Sequence, residues 1–230
     1  MLGDALSYPL DGDSWIRTVL IGGLLSLLTV FVVPIFFLQG YYVRVLHGVT
    51  NDDPDPPEFT DWADLLIDGL KLFAVNIVVG LVVFLAMGIV AVIFGAGSLL
   101  SAGGPGGDPG AVGGILAAFG AVGFFLFIAF ALVLGYVAPG MFANFAREDS
   151  IAAAFDVSTV LAGVTTIEYL TAWVLAVLVA IVLGTIASFL SIILVGIFVL
   201  FYVQVVTYYL FGRGFADGLE EKRGGSATTY

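Results

Sequence analysis

Residues 169–212 read YLTAWVLAVLVAIVLGTIASFLSIILVGIFVLFYVQVVTYYLFG, 44 positions without one charged side chain. As a single helix rising about 1.5 Å per residue, this stretch would be about 66 Å long, twice a bilayer's hydrocarbon core of about 30 Å. The chain must therefore cross, turn and come back within it. Thr185, Ser188 and Ser191 gather in the Gly184–Ser191 region, so the turn is expected there, between spans at about 166–185 and 190–211. Three more charge-free stretches lie upstream, at 18–43, 72–107 and 109–146, of 26, 36 and 38 residues. Each exceeds the about 20 residues that a transmembrane helix needs, which predicts spans at about 16–38, 72–94 and 112–137. The expected fold class is all-α: a polytopic membrane helix bundle of about five transmembrane helices plus two amphipathic interfacial helices. The segments between spans are shorter than the about 40 residues an unstapled domain requires, so residues 1–230 read as a single integral membrane domain.

Composition agrees. Of 230 residues, 60% are hydrophobic and 11% charged, with mean hydropathy +1.12, against about a quarter charged in soluble domains. Eighteen acidic residues face seven basic ones, for a net charge of -11. Phosphate backbones attract clustered Lys and Arg, so no nucleic-acid partner is expected. Only Lys71 and Lys222 are lysine. Acid-rich, lysine-poor loops suit a haloarchaeal cell that accumulates molar salt, where a Debye length of about 3 Å suppresses repulsion between carboxylates. Cysteine is absent, which excludes disulfides and thiolate metal sites. Asp4, Asp11 and Asp13, rather than basic residues, precede Trp15, so the first span is expected to stay in the mature protein rather than be cleaved as a signal.

Between the spans, local chemistry sets further expectations. Ser14 is placed to cap the first span, and Pro34 to kink it. Asn51–Thr60 reads NDDPDPPEFT and must be a solvated loop, with Thr60 as the cap of the next helix. An interfacial helix at about 61–71 puts Asp61, Asp64 and Asp68 on one face and Trp62, Leu65, Leu66, Gly69 and Phe73 on the other, turning near Gly69–Lys71 into span two. Gly95–Gly110 reads as a glycine-rich loop. Pro139 is expected to end or bend span three, and Ser150 or Asp149 to cap a second interfacial helix at about 150–161, with Ile151, Phe155 and Ala162 as its apolar stripe. In span four, Ala172, Ala176, Ala180, Gly184 and Ser188 recur at steps of four and form a helix-packing stripe of small residues. Five spans place Arg44, Lys71, Arg147, Arg213, Lys222 and Arg223 on one side and Arg17 alone on the other. The positive-inside rule then predicts a multi-pass protein of the cell (cytoplasmic) membrane, N-terminus outside and C-terminus cytoplasmic. The two halves echo each other weakly, Gly40-Tyr41 before Trp62 and Asp64 resembling Gly135-Tyr136 before Phe155 and Asp156.

Motifs for chemistry are missing. Asn51, Asp53 and Asp55 mimic the start of a calcium loop, but Pro56 stands where glycine must turn and Trp62 where a bidentate Glu belongs. His47 is the only histidine, with neither a second metal ligand nor a nucleophile placed beside it. Residues 103–107 lack the Lys-Ser or Lys-Thr of a phosphate loop, and the GGDPG segment matches no intramembrane aspartyl protease signature. No cofactor, metal or catalytic residue is expected. The polar positions in spans are Asn76, Glu168 and Gln204, with Gln39 and Asn144 near span ends. Glu168 reads as a carboxylate at the first turn of span four favoured by the helix dipole, and the amides as interhelical hydrogen bonds.

Tyr8-Pro9, Trp15, Ile21-Gly22-Gly23-Leu24, Pro34, Gly40-Tyr41, Pro57-Glu58-Phe59 with Asp61-Trp62, and Asp68-Gly69-Leu70-Lys71 form an ordered set. The set resembles an archaeal membrane family known as domain of unknown function 4013. The likeness is close over the first third of the chain and rests on span order beyond it. It implies a multi-span membrane protein and brings no activity or site residues. The function expected is that of a non-enzymatic integral membrane protein that packs against the lipid bilayer and against other membrane proteins or further copies of itself. The alternative is a small transporter or channel subunit with Asn76, Glu168 and Gln204 along its path.

Overall fold

In an apolar stretch surrounded by lipid, every backbone N–H must find a carbonyl inside its own segment, and the charge-free stretches accordingly form helix. A computed structural model describes residues 1–53, 55–101 and 111–227, among which there is no strand. Eight α-helices follow in order: α1 (Leu2–Ser7), α2 (Trp15–Leu27), α3 (Val33–Thr50), α4 (Trp62–Ser101), α5 (Ala111–Glu148), α6 (Val157–Val164), α7 (Ile167–Leu190) and α8 (Val195–Ala227). Four described segments are long and apolar enough to cross a membrane: Trp62–Ala96, Ala118–Glu148, Ile167–Ile193 and Val195–Gly224. A fifth is counted if Leu2–Leu10 and Trp15–Phe31, which meet at 88°, act as one bent span. The all-α membrane bundle is thus the fold class.

The chain divides into two units, one made of 1–75 and 136–230, the other of 76–135. In the first, α7 and α8 form the most extensive helix pair, and α8 is the central element, touching α1, α2, α3 and α6 as well. The chain directions follow from the contacts. Gly22 faces the Phe201 ring and Gly23 the Phe198 ring, so α2 runs antiparallel to α8. Tyr41 packs on Phe201, and Leu46 and Val49 meet Gly212, so α3 runs parallel to α8. Thus α2 and α3 form a helical hairpin. Its turn, Leu28–Phe31 plus Val32, is a short 3-10 segment that ends in a residue with φ 65°. The helix expected at about 16–38 with a kink at Pro34 is instead divided at Leu28–Val32, and Pro34 lies in the first turn of α3, where its missing N–H costs nothing.

Other boundaries also move. No turn separates an interfacial helix at 61–71 from span two, because α4 runs through Gly69 and on past Gly95. Thr60 does not cap it, since the first helical bond runs from Leu65 N–H to Asp61 O. Helix α5 continues through Pro139 to Glu148. The second interfacial helix is divided into a 3-10 segment, Ile151–Phe155, and α6, capped by Asp156 and not by Ser150 or Asp149. The turn between α7 and α8 occupies Ser191–Leu194, a few residues later than expected. Residues 102–110, with most of the expected glycine-rich loop and the GGDPG segment, lie outside the described residues, as does Pro54.

The N-terminal segment packs along α8: the Tyr8 and Tyr209 rings stand 4.6 Å apart and the Tyr202 hydroxyl donates to Leu6 O, while Ser14 donates to Glu58 at 2.6 Å. In the second unit, α4 and α5 lie side by side, with Gly120 against Phe94 and Gly123 against Val90.

Candidate functional site

All seven Lys and Arg residues belong to the first unit, and so does every carboxylate among the described residues. They collect at its charged end. Arg44 reaches from α3 into the 51–61 loop and donates to Thr60 O at 2.8 Å, Asp61 O at 3.3 Å and Glu58 O at 3.5 Å. Lys71 on α4 pairs with Asp149 just beyond α5 at 2.7 Å and with Asp68 at 3.3 Å. Arg213 on α8 pairs with Asp52 at 2.7 Å and Asp217 at 3.0 Å. His47 Nδ1 lies 2.8 Å from Ala146 O, a contact in which the Nδ1–H donates to the carbonyl. Each pair is partly exposed and contributes about 0–1 kcal/mol by itself, so their joint effect is positional: they set the loop against the helix ends.

Beneath the charges lies an aromatic floor. Tyr41 stacks on Phe59 at 4.4 Å, Tyr42 on Tyr208 at 4.8 Å, and Phe59 lies 6.0 Å from Trp62. Two cavities open above it. One, of about 330 Å³, is lined by Arg44, His47, Asp53, Asp55, Asp68 and Asp149 among others. The other, of about 240 Å³, is lined by Asp4, Tyr8, Asp11, Asp52, Tyr209 and Arg213 among others. Neither concentrates ligands for a metal: no group of three His, Cys, Asp or Glu residues is so placed among the described residues.

Beside this end, Asp156 begins α6, accepting from the backbone N–H and hydroxyl of both Ser158 and Thr159. Those four donors favour the carboxylate over the acid and pull its pKa down to about 2. The second helix after the last charge-rich loop is therefore anchored by a fully engaged cap, and Tyr136 and Tyr169 tie it to its neighbours. The Tyr136 hydroxyl donates to Val164 O at 2.6 Å and the Tyr169 hydroxyl to Tyr136 O at 2.8 Å.

Of the three polar positions singled out in the spans, Glu168 and Gln204, both in the first unit, do not meet. Glu168 is half-buried in the first turn of α7, where its Oε2 is buried without a hydrogen-bond partner. Gln204 is exposed on α8 beside Tyr208, ten residues and about 15 Å from Gly214, the α8 residue level with Glu168. Asn76 is exposed and belongs to the second unit. The packing stripe also divides. Ala172 and Ala176 are buried against α8, but Ala180 and Ser188 are exposed and a Cβ at Gly184 would meet open space. Reading by residue type missed Tyr8, the His47–Ala146 contact and the Arg213–Asp52 pair, all of which depend on which helix ends meet.

Four glycines of the set that carries the family likeness stand where helices touch. A Cβ on Gly40 would collide with the Leu65 carbonyl, one on Gly69 with the Phe36 carbonyl, and those on Gly22 and Gly23 with the rings of α8. No curated protein and no solved structure matches the chain. A family profile described as "Protein of unknown function (DUF4013)" matches residues 23–192. That match runs from the α2–α8 contact to the turn between α7 and α8, well over half of the sequence, and the chain belongs to the DUF4013 family.

Proposed function

We propose that this is a non-enzymatic integral protein of the cytoplasmic membrane that acts by helix packing, with lipid and with other membrane proteins or further copies of itself as partners. The second unit carries the reading. None of the most apolar window of α4 or of α5 is buried, and Phe84, Phe119, Phe125 and Leu132 stand exposed. On α4, Gly80 and Gly88 have open space where a Cβ would stand, and glycine in a lipid-facing helix allows another helix to approach closely. A cavity of about 400 Å³ lined by Met87, Val90, Phe94, Phe124, Phe125 and other apolar residues lies between the two helices. The charged end of the first unit supports a cytoplasmic placement of the C-terminal half of α8, because Lys and Arg are retained on that side. The acid-rich, lysine-poor composition supports a haloarchaeal source.

Photocrosslinking from Phe84 and Phe125 positions in native membranes tests the proposal. Protein adducts that diminish on Gly88→Leu are expected; a protein that yields lipid adducts alone and runs as a partner-free monomer would overturn it. The transporter or channel alternative gains nothing from the distance between Glu168 and Gln204.

A further inference from the structure

We infer that the first charge-free stretch is a membrane hairpin rather than a single crossing, so that the segment before α2 and the C-terminal half of α8 emerge on the same face of the bilayer. Three independent observations converge on it. The first is chain direction: α2 descends against α8 and α3 returns alongside it, with Gly23 at Phe198 and Gly212 at Val49 marking the two ends. The second is the face that α2 leaves uncovered. Ile16, Leu20 and Leu24 are 57%, 55% and 52% exposed at steps of four, whereas Thr18, Gly22 and Gly23 on the other side are buried. Large branched side chains outside and small residues inside is the pattern of a helix with lipid on one side and protein on the other.

The third is the turns. The α2–α3 turn holds Val30 at 78% exposure, and the α7–α8 turn holds Ile192 at 84%. Neither turn contains a charge, and in water such patches would drive association. Arg213 to Val195 spans about 27 Å of α8, close to a hydrocarbon thickness of about 30 Å. Trp15–Phe31 covers about 25 Å, so the α2–α3 hairpin reaches a comparable depth. With α2 entering from the charged end, Arg17 joins the other six basic residues. The lone positive charge that five crossings leave on the far side disappears, as the positive-inside rule favours.

Because the sequence contains no cysteine, single-cysteine variants report one position each. Ser7→Cys, Val30→Cys and Glu220→Cys are treated with a membrane-impermeant maleimide in inside-out and right-side-out vesicles of the full-length protein. Ser7→Cys and Glu220→Cys are expected to react in the same vesicle orientation and to lose that reaction in the other. Val30→Cys is expected to stay unreacted wherever Ser7→Cys reacts. Reaction of Ser7→Cys and Glu220→Cys in opposite orientations overturns the hairpin, as does reaction of Val30→Cys together with Ser7→Cys. Protease digestion of tags fused ahead of Met1 and after Tyr230 repeats the comparison without altering a packed residue. Both tags cut in one orientation supports the inference, and one cut in each overturns it.

Discussion

At Gly69 the α-carbon of α4 lies against the Phe36 carbonyl of α3, and at Gly40 the α-carbon of α3 lies against the Leu65 carbonyl of α4. These are backbone-to-backbone approaches, and a carbonyl cannot rotate aside as a flexible side chain can. Gly69→Ala must push two helices apart, at an expected cost of about 1–3 kcal/mol, the range for overpacking a tight contact. Gly80 has nothing within 4 Å of where a Cβ would stand, so Gly80→Ala should stabilise by up to about 1 kcal/mol through helix propensity alone. Denaturation in mild detergent, measured on both variants, distinguishes them; equal effects would refute the close approach. Small residues are legible in a sequence, but which of them touch is not. The stripe at Ala172, Ala176, Ala180, Gly184 and Ser188 steps by four, and at about 3.6 residues per turn each step advances about 40° around the helix. By Ser188 it faces away from the starting side, and the buried positions instead run Ala172, Ala176, Val179 and Ala187.

Helices were easier to foresee than their ends, and the α7–α8 turn shows why. Ser188 and Ser191 look like turn residues, yet their hydroxyls fold back to Gly184 O at 2.7 Å and Ala187 O at 2.8 Å, bonds that a continuing helix accommodates. The actual break is marked by Leu194 at φ 62° and by Gly196, whose Cβ would meet the Ala187 carbonyl. Neither is a strong signal in a row of aliphatic residues. Prolines give no firmer boundary: Pro139 lies within α5 rather than ending it, and Pro34 starts a helix in place of bending one. The α2–α3 turn was invisible because Val32, at φ 65° and ψ -53°, is a β-branched residue in a conformation that favours glycine. Val32→Gly should therefore stabilise the protein by about 1 kcal/mol, the left-handed penalty of an L side chain less glycine's greater freedom when unfolded. A shift in the detergent unfolding midpoint would show this, and a destabilised Val32→Gly protein would mean that the valine side chain supports the turn more than its backbone strains it.

For the whole molecule, charge predicted the solvent correctly and the route of the chain only in part. Charge-free lengths identify membrane helices because the cost of burying a carboxylate or ammonium in lipid is paid nowhere along them. They could not show that 18–43 contains two antiparallel helices, since length permits one crossing with a tail as well as a hairpin. The same charges make a prediction for stability. Two opposed effects respond to salt: the Lys71–Asp149 and Arg213–Asp52 pairs weaken when screened, whereas repulsion among the surplus carboxylates is relieved. Partly exposed pairs contribute about 0–1 kcal/mol each, and eighteen acids against seven bases in the chain leave the larger repulsion unpaired. As KCl rises from 0.1 M to 1 M the Debye length falls from about 10 Å to about 3 Å, so repulsion between neighbouring carboxylates fades while contacts below 3 Å persist. The thermal midpoint in nonionic detergent should rise with KCl, by about 2–4 °C for each kcal/mol relieved. A midpoint that falls over this range would show that the ion pairs, and not the acidic surplus, dominate the electrostatics of the charged end.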